Sequence, residues 1–473
     1  MRRLTRACIA LALVLPVSGA AAAPAAAAPA RVFPDVPVAA TSSPACPAGY
    51  AAPRADRPVL DLRFDLSTDR TRFNGLEHIE FTPDLATDRV VLRQWVNDPG
   101  QRADGAHGHV SRVAVSGAVQ TTRLPANDGS TYVIVPLPRT VAAGSRLVID
   151  VRFHVTLPRR GTDRIGSDGQ TAWWGSGHPL LAWERGVGWA TDRAGTLWGE
   201  RTTSEDALLR TLAVRTGVGD DVLATGRLKS NRLISATRRE RVFTANSVRD
   251  AMVAVGRFRV SRRLVGVTPV IVGSAPNVAD NPAAVAAVIA DSMAAYARLL
   301  GPFPYADLSV VVLPRLTGGI EFPGAIMLGA GEYRDPTGSH EVAHEYFYGL
   351  VGNNQARDPW LDEGFATYAE ALHHGTASRY TSMTIPADAR GRVGRPMSYW
   401  ENRQGSYYRG VYVQGGAALL RARQAAGPLA FDTAIRCYVR RRAHTIARPG
   451  DLATALAGLP AALHVLRSAG ALP

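Results

Sequence analysis

The chain has 473 residues, 46% hydrophobic and 20% charged, the composition of a globular protein long enough to bury two cores. The formal net charge is +14, yet the arginines are scattered, Lys229 is the only lysine and no nucleic-acid-binding motif accompanies them. This argues against nucleic acid as a partner and leaves weak association with anionic cell-wall polymers. Downstream of residue 30 no apolar run reaches the roughly twenty residues of a membrane span. The nearest, Pro282 to Ile289, is closed by Asp291.

At the N-terminus, Arg2, Arg3 and Arg6 precede an apolar run from Ala7 to Val17, and alanine-rich sequence with A-x-A sites continues to Ala30. Residues 1–30 read as a secretory signal peptide, so the protein is expected in the secreted or cell-surface space. Cys8 leaves with that segment. Cys46 and Cys437 remain, either as one disulfide or as two free thiols. Residues 31–57, rich in Ala, Pro and Ser, read as a flexible leader.

From residue 58 apolar and polar residues alternate. Val59 to Leu66, His78 to Thr82, Arg89 to Gln94, Val110 to Val115, Tyr132 to Leu137 and Arg146 to Val155 are predicted strands, punctuated by Gly, Pro, Asp and Asn. Further strands are expected at Ala207 to Arg215, Val222 to Ala224, Arg241 to Ala245 and Met252 to Val260. Together they predict an antiparallel sandwich or saddle-shaped β-domain over 58–260. Between them, Gly161 to Glu200 carries Trp173, Trp174, Trp183, Trp189 and Trp198 with His178 and Glu184. This stretch suits either a cleft wall or packing between domains.

Residues 261–473 form a second predicted domain. A strand from Thr268 to Val272 leads to a helix from Ala283 to Leu300, with Asn281 as its cap and Pro282 in its first turn. Leu308 to Leu313 reads as a buried strand and Ala325 to Leu328 as another. Next comes HEVAHEYFYGLVGNNQARDPWLDEGFATYAE, from His340 to Glu370, with Ser339 a candidate cap. His340 and His344 are four apart and leave one face of a helix together, so both can reach a single ion. Eighteen residues separate His344 from Glu363. That is enough to end one helix in a loop from Gly352 to Pro359 and return a carboxylate on a second. Two imidazoles and one carboxylate leave tetrahedral zinc a fourth position for water, with Glu341 beside it as general base and then acid.

The pattern HExxH, eighteen residues, then the glutamate of Trp360-Leu361-Asp362-Glu363-Gly364-Phe365-Ala366 resembles the aminopeptidase N family of zinc metallopeptidases, of the gluzincin clan, whose string reads WLNEGFA. Phe73-Asn74-Gly75 and Ala142-Ala143-Gly144 resemble that family's N-terminal β-domain. The resemblance implies one Zn2+ per chain and peptide substrates. Its YxKG pattern falls on Tyr412-Val413-Gln414-Gly415, with Gln414 in place of lysine, making Tyr412 the expected oxyanion donor and Tyr407 and Tyr408 its rivals. Its GxMEN loop falls on Gly318-Gly319-Ile320-Glu321-Phe322, with Glu321 expected to pair with the substrate's N-terminal ammonium beside Gly318 and Gly319. Ile320 and Phe322 depart from the pattern. His107, His109, His373 and His374 are read as solvated or capping. Helices are expected over Gly416 to Leu420, Pro428 to Arg442 and Gly450 to Leu456, a short form without room for the family's large helical C-terminal domain.

The expectation is therefore an α+β protein, an N-terminal antiparallel β-sandwich or saddle followed by a thermolysin-like zinc peptidase domain with C-terminal helices. The expected activity is a secreted zinc-dependent aminopeptidase. The alternatives are a zinc endopeptidase of the same clan and a non-catalytic, zinc-stabilised surface binding protein.

Overall fold

Strand alternation builds the N-terminal half. In Val59–Leu66 the side chains of Leu60, Leu62, Phe64 and Leu66 are buried while Asp61 and Arg63 face outward, the period of a sheet with one wet face. The computed structural model describes residues 45–124, 131–159, 161–197, 204–334 and 336–473. The signal peptide expected over 1–30, most of the leader expected over 31–57, and Trp198 lie outside the described residues.

Eight strands form the largest sheet, in the order Arg227–Leu233, Arg238–Val248, Ala207–Gly217, Val59–Leu66, Arg72–Phe81, Leu147–Thr156, His107–Val115 and Ala118–Gln120. All neighbours are antiparallel except Val59–Leu66 with Ala207–Gly217. Smaller sheets of four and three strands lie in the same half. The strand expected over Met252 to Val260 is two strands. Met252–Gly256 joins the four-stranded sheet, whereas Arg259–Val265 hairpins onto Thr268–Ser274. Gly256 is packed against Thr171 and Phe258 at the break.

Arg259–Val265 and Thr268–Ser274 open a five-stranded sheet that continues through Leu308–Leu313 and Ala325–Gly329 to the edge strand Gly319–Phe322. Its middle three strands are parallel and its two edges antiparallel. Helix Pro282–Leu300 begins as expected, Asn281 accepting from the Ala283 N–H. Its length and composition would suit a membrane span, but Val285, Ile289, Met293, Tyr296 and Leu300 are buried in the core of this half. Helices Trp360–His373, Gln414–Ala426, Pro428–Arg442, Pro449–Ala455 and Pro460–Ser468 complete an α+β architecture, β-rich at the N-terminal end and helical at the C-terminal end.

Two expectations near the histidines are corrected. Ser339 lies inside helix Thr337–His344, its hydroxyl donating back to the Pro336 carbonyl, so it is not the cap. The helix also stops at His344. The chain then turns tightly, with Tyr348 at φ 116°, into the short strand Val351–Asn353, which pairs in parallel with Thr445–Ala447.

The tryptophan-rich stretch packs. Trp174 sits among Phe64 and Phe73 in the core of the N-terminal half, Trp183 and Trp189 meet Phe81, and Trp173 belongs to the other core. Buried Glu184 ties the two halves, accepting from Asn354 (3.1 Å), Arg357 (3.3 Å) and Arg448 (3.0 Å). Buried Arg249 donates to the carbonyls of Gly349 and Thr445.

Cys46 and Cys437 are joined by a disulfide spanning 391 positions. The Ala51 N–H donates to the Arg440 carbonyl (2.8 Å) and the Tyr50 hydroxyl to the Pro302 carbonyl, so the first described residues are strapped across the helical end. Replacing both cysteines by serine should lower unfolding stability by about 2–4 kcal/mol. Denaturant midpoints with and without reductant check this: reductant should shift the parent protein and leave the double variant where it is.

Candidate metal and catalytic site

His340 and His344 project from helix Thr337–His344 toward Glu363 on helix Trp360–His373. Their Nε2 atoms lie 3.2 Å and 3.3 Å from Glu363 Oε2. Ligand atoms held about 2.0–2.1 Å from one tetrahedral zinc ion stand about 3.3–3.4 Å apart. Both imidazole-to-carboxylate distances match such an ion, the three donor atoms lie within 4.8 Å of one another, and two nitrogens with one carboxylate oxygen are the donor chemistry zinc takes. The other ring nitrogens are occupied. His340 Nδ1 is 3.0 Å from Glu370 Oε2, and His344 Nδ1 is 3.1 Å from the Phe347 carbonyl. Each contact fixes the tautomer that presents Nε2 as a donor atom.

Charge in this buried cluster is arranged in opposition. Burial works against a proton on His340, but Glu363 and Glu370 outweigh it and hold its pKa well above the ordinary imidazole value. Burial likewise opposes charge on Glu363, and His340 with His344 reverse this, holding it below the usual carboxylate range. The acidic residues around these imidazoles thus favour positive charge at the point where both rings face Glu363.

Tyr412 lies on a widened π-type turn, Arg409–Val413, of the kind often found at functional sites. Its hydroxyl donates to Glu363 Oε1 (2.5 Å), and its ring stacks on His340 at 5.9 Å. Tyr408, one of its rivals, packs against the Tyr412 ring at 5.2 Å, and Tyr407 is buried beneath it. The helices carrying Glu363 and Tyr412 meet at glycines. A Cβ on Gly415 would stand 3.1 Å from the Gly364 Cα, so the backbones touch one residue from Glu363 and three from Tyr412.

Glu341 points from the same helix toward the edge strand Gly319–Phe322. A Cβ on Gly319 would come within 2.4 Å of the Glu341 side chain, so glycine leaves that carboxylate its space. Carboxylate oxygens of Glu321 and Glu341 lie with a His344 nitrogen within 4.8 Å of one another, all three residues buried. Gly318, at φ 80°, takes the left-handed turn that starts the strand. Phe322 faces away from the site: it is buried, its ring fills the space a Cβ on Gly175 would take (1.9 Å), and Arg164 lies 5.8 Å over it. The departure from the family's loop pattern is an apolar anchor into the N-terminal half.

All the residues singled out by motif thus converge: His340, His344, Glu363, Glu341, Tyr412, Glu321 and the Gly318-Gly319 turn. His373 and His374 end the second helix, and His374 meets the Ser339 hydroxyl at 2.8 Å. His107 and His109 lie on a strand of the large sheet, with His109 beside His154. Glu370 and Tyr380 were missed. Glu370 orients His340, and the Tyr380 hydroxyl donates to Glu370 Oε1. The signal was spacing: Glu370 is seven residues past Glu363, two helical turns along one face.

No protein-family model matches the sequence. Solved structures do. An M1 zinc metallopeptidase from Deinococcus radiodurans superimposes with a TM-score of 0.67 at 19% identity, over 88% of this chain and 93% of that one. A glutamate-to-alanine mutant of it bound to a Tyr-Ser-Ala substrate gives 0.67 at 18% identity, over 88% and 94%. A two-domain M1 zinc metallopeptidase mutant bound to L-arginine gives 0.65 at 18% identity, over 90% and 95%. At this identity the likeness shows a shared fold.

Glu370→Gln should weaken zinc binding by about 10- to 100-fold, with Tyr380→Phe moving it the same way by less. Competition against a chromogenic chelator measures this, and metal-free melting curves close to the parent's would separate the effect from misfolding.

Proposed function

We propose that this chain is a zinc-dependent metallopeptidase, one ion per chain, acting as an aminopeptidase on peptides. The observation that carries the reading is the spacing of His340, His344 and Glu363 with Glu341 alongside. When bound there, zinc would supply Lewis acidity that polarises a scissile carbonyl and acidifies the attacking water. Glu341 accepts that water's proton and returns it to the leaving amine. Tyr412 turns its hydroxyl from Glu363 to the oxygen that becomes negative. Burial around these groups keeps bulk water from weakening the interactions.

Glu321 gives the site its preference for a free amino terminus. Two buried carboxylates, Glu321 and Glu341, crowd one corner of the cleft, and an ammonium relieves their repulsion while pairing with Glu321. The bound Tyr-Ser-Ala and L-arginine of the similar structures support peptides and amino acids as the ligand class. The expected signal peptide and the Cys46–Cys437 bond support an exported protein, since disulfides persist in oxidising compartments.

Glu341→Gln should keep about one zinc per chain while turnover falls about 10²- to 10⁴-fold; metal analysis beside peptide hydrolysis checks it, and undiminished turnover would remove the mechanism. Tyr412→Phe should lower kcat about 10²- to 10³-fold with little change in KM, read from initial rates. Glu321→Gln should selectively impair amino-free peptides. Equal parent activity on acetylated and amino-free fluorogenic peptides would point to an endopeptidase instead.

A further inference from the structure

The large N-terminal sheet has an outer face that the peptidase reading does not use. A concavity of about 710 Å³ lies on it, lined by residues from seven of its eight strands. Across its middle, strand register sets one straight row: Arg63 opposite Leu76, Leu76 opposite Arg152, and Arg152 opposite Arg112. A bulge between Val110 and Arg112 places Arg112 in that row. Neighbouring strands are about 5 Å apart, so Arg152 and Arg112 flank one point and Arg63 stands about 10 Å from Arg152.

The charge in this groove is unbalanced. Its acidic residues already have partners: Asp61 is held by Arg210, Glu240 by Arg215 and Arg232, and Asp150 shares a 2.8 Å hydrogen bond with the His78 ring. Glu77 points inward, to buried His178. Arg63, Arg112 and Arg152 are exposed, and among the described residues none of their guanidiniums meets a carboxylate or carbonyl.

We propose that this groove binds a linear polymer of alkyl phosphodiesters. A phosphodiester polymer carries its anion in the backbone at every repeat, whereas successive acidic side chains of an extended peptide point to opposite faces, so only the former keeps every charge on the groove. A row of cations at multiples of the strand spacing suits a chain with repeated anions. Apart from the His78 imidazole the lining carries no aromatic ring, so the groove lacks the stacking platforms that hold single-stranded nucleic acid. A glycerol-like linkage, which has no ring to stack, needs none. Such a surface would hold the protein on an anionic polymer while the peptide site faces its own substrates.

The test is fluorescence anisotropy with labelled poly(glycerol phosphate) oligomers against three proteins: the parent, a triple variant Arg63→Gln, Arg112→Gln, Arg152→Gln, and a control triple variant Arg139→Gln, Arg262→Gln, Arg263→Gln. The control removes equal charge from exposed positions elsewhere. The groove variant should lose at least about tenfold in affinity and show a shallower salt dependence, with the control within about twofold of the parent. Peptide hydrolysis and melting temperature should be unchanged in both. Equal losses in the two variants would mean diffuse attraction and overturn the proposal, as would no loss in either. Labelled polyglutamate held as tightly as the phosphate polymer, and lost with the same three arginines, would assign the groove to acidic peptides instead.

Discussion

One carboxylate organises the centre of this protein. Glu363 faces His340 and His344 through one oxygen and Tyr412 through the other, and these groups come from three separate segments. In water such a gathering would be loose; buried, each attraction is stronger and each misplacement costs more. The surroundings answer that cost with Glu370 and the Phe347 carbonyl behind the histidines and Tyr380 behind Glu370. Helices Thr337–His344 and Trp360–His373 and the turn Arg409–Val413 together hold the arrangement.

The N-terminal half braces that assembly. Phe322, two residues past Gly318-Gly319-Ile320 and next to Glu321, is seated against Gly175 and beneath Arg164. Glu184 and Arg249 fix the segments that follow the histidine helix, Asn354 and Arg357 on one side and Gly349 on the other. The edge strand that presents Glu321 is therefore gripped from behind by a ring with no polar atoms to offer substrate. Where the family pattern suggests an asparagine oriented at ligand, this chain has packing.

The sequence was most legible where local physics decides the outcome. Alternation located most strands of the N-terminal half, Asn281-Pro282 marked a helix start, and a four-residue spacing placed two imidazoles on one face. It was least legible where a neighbour decides. Arg227–Leu233 is exposed on both faces, so it carries no alternation to read. Ser339 has the chemistry of a cap, but the helix begins two residues earlier and turns its hydroxyl inward. Glu370 and Tyr380 acquire their roles only when two helices dock. The Cys46–Cys437 bond required knowing that the first described residues cross the last helices.

The contact between Gly364 and Gly415 has a mechanical consequence. With no side chains between them, the helices bearing Glu363 and Tyr412 share a seam that neither can widen without exposing backbone and breaking close packing. One wall of the cleft is thus rigid. A single methyl group added at Gly415 would press on the Gly364 backbone and shift Tyr412 relative to Glu363.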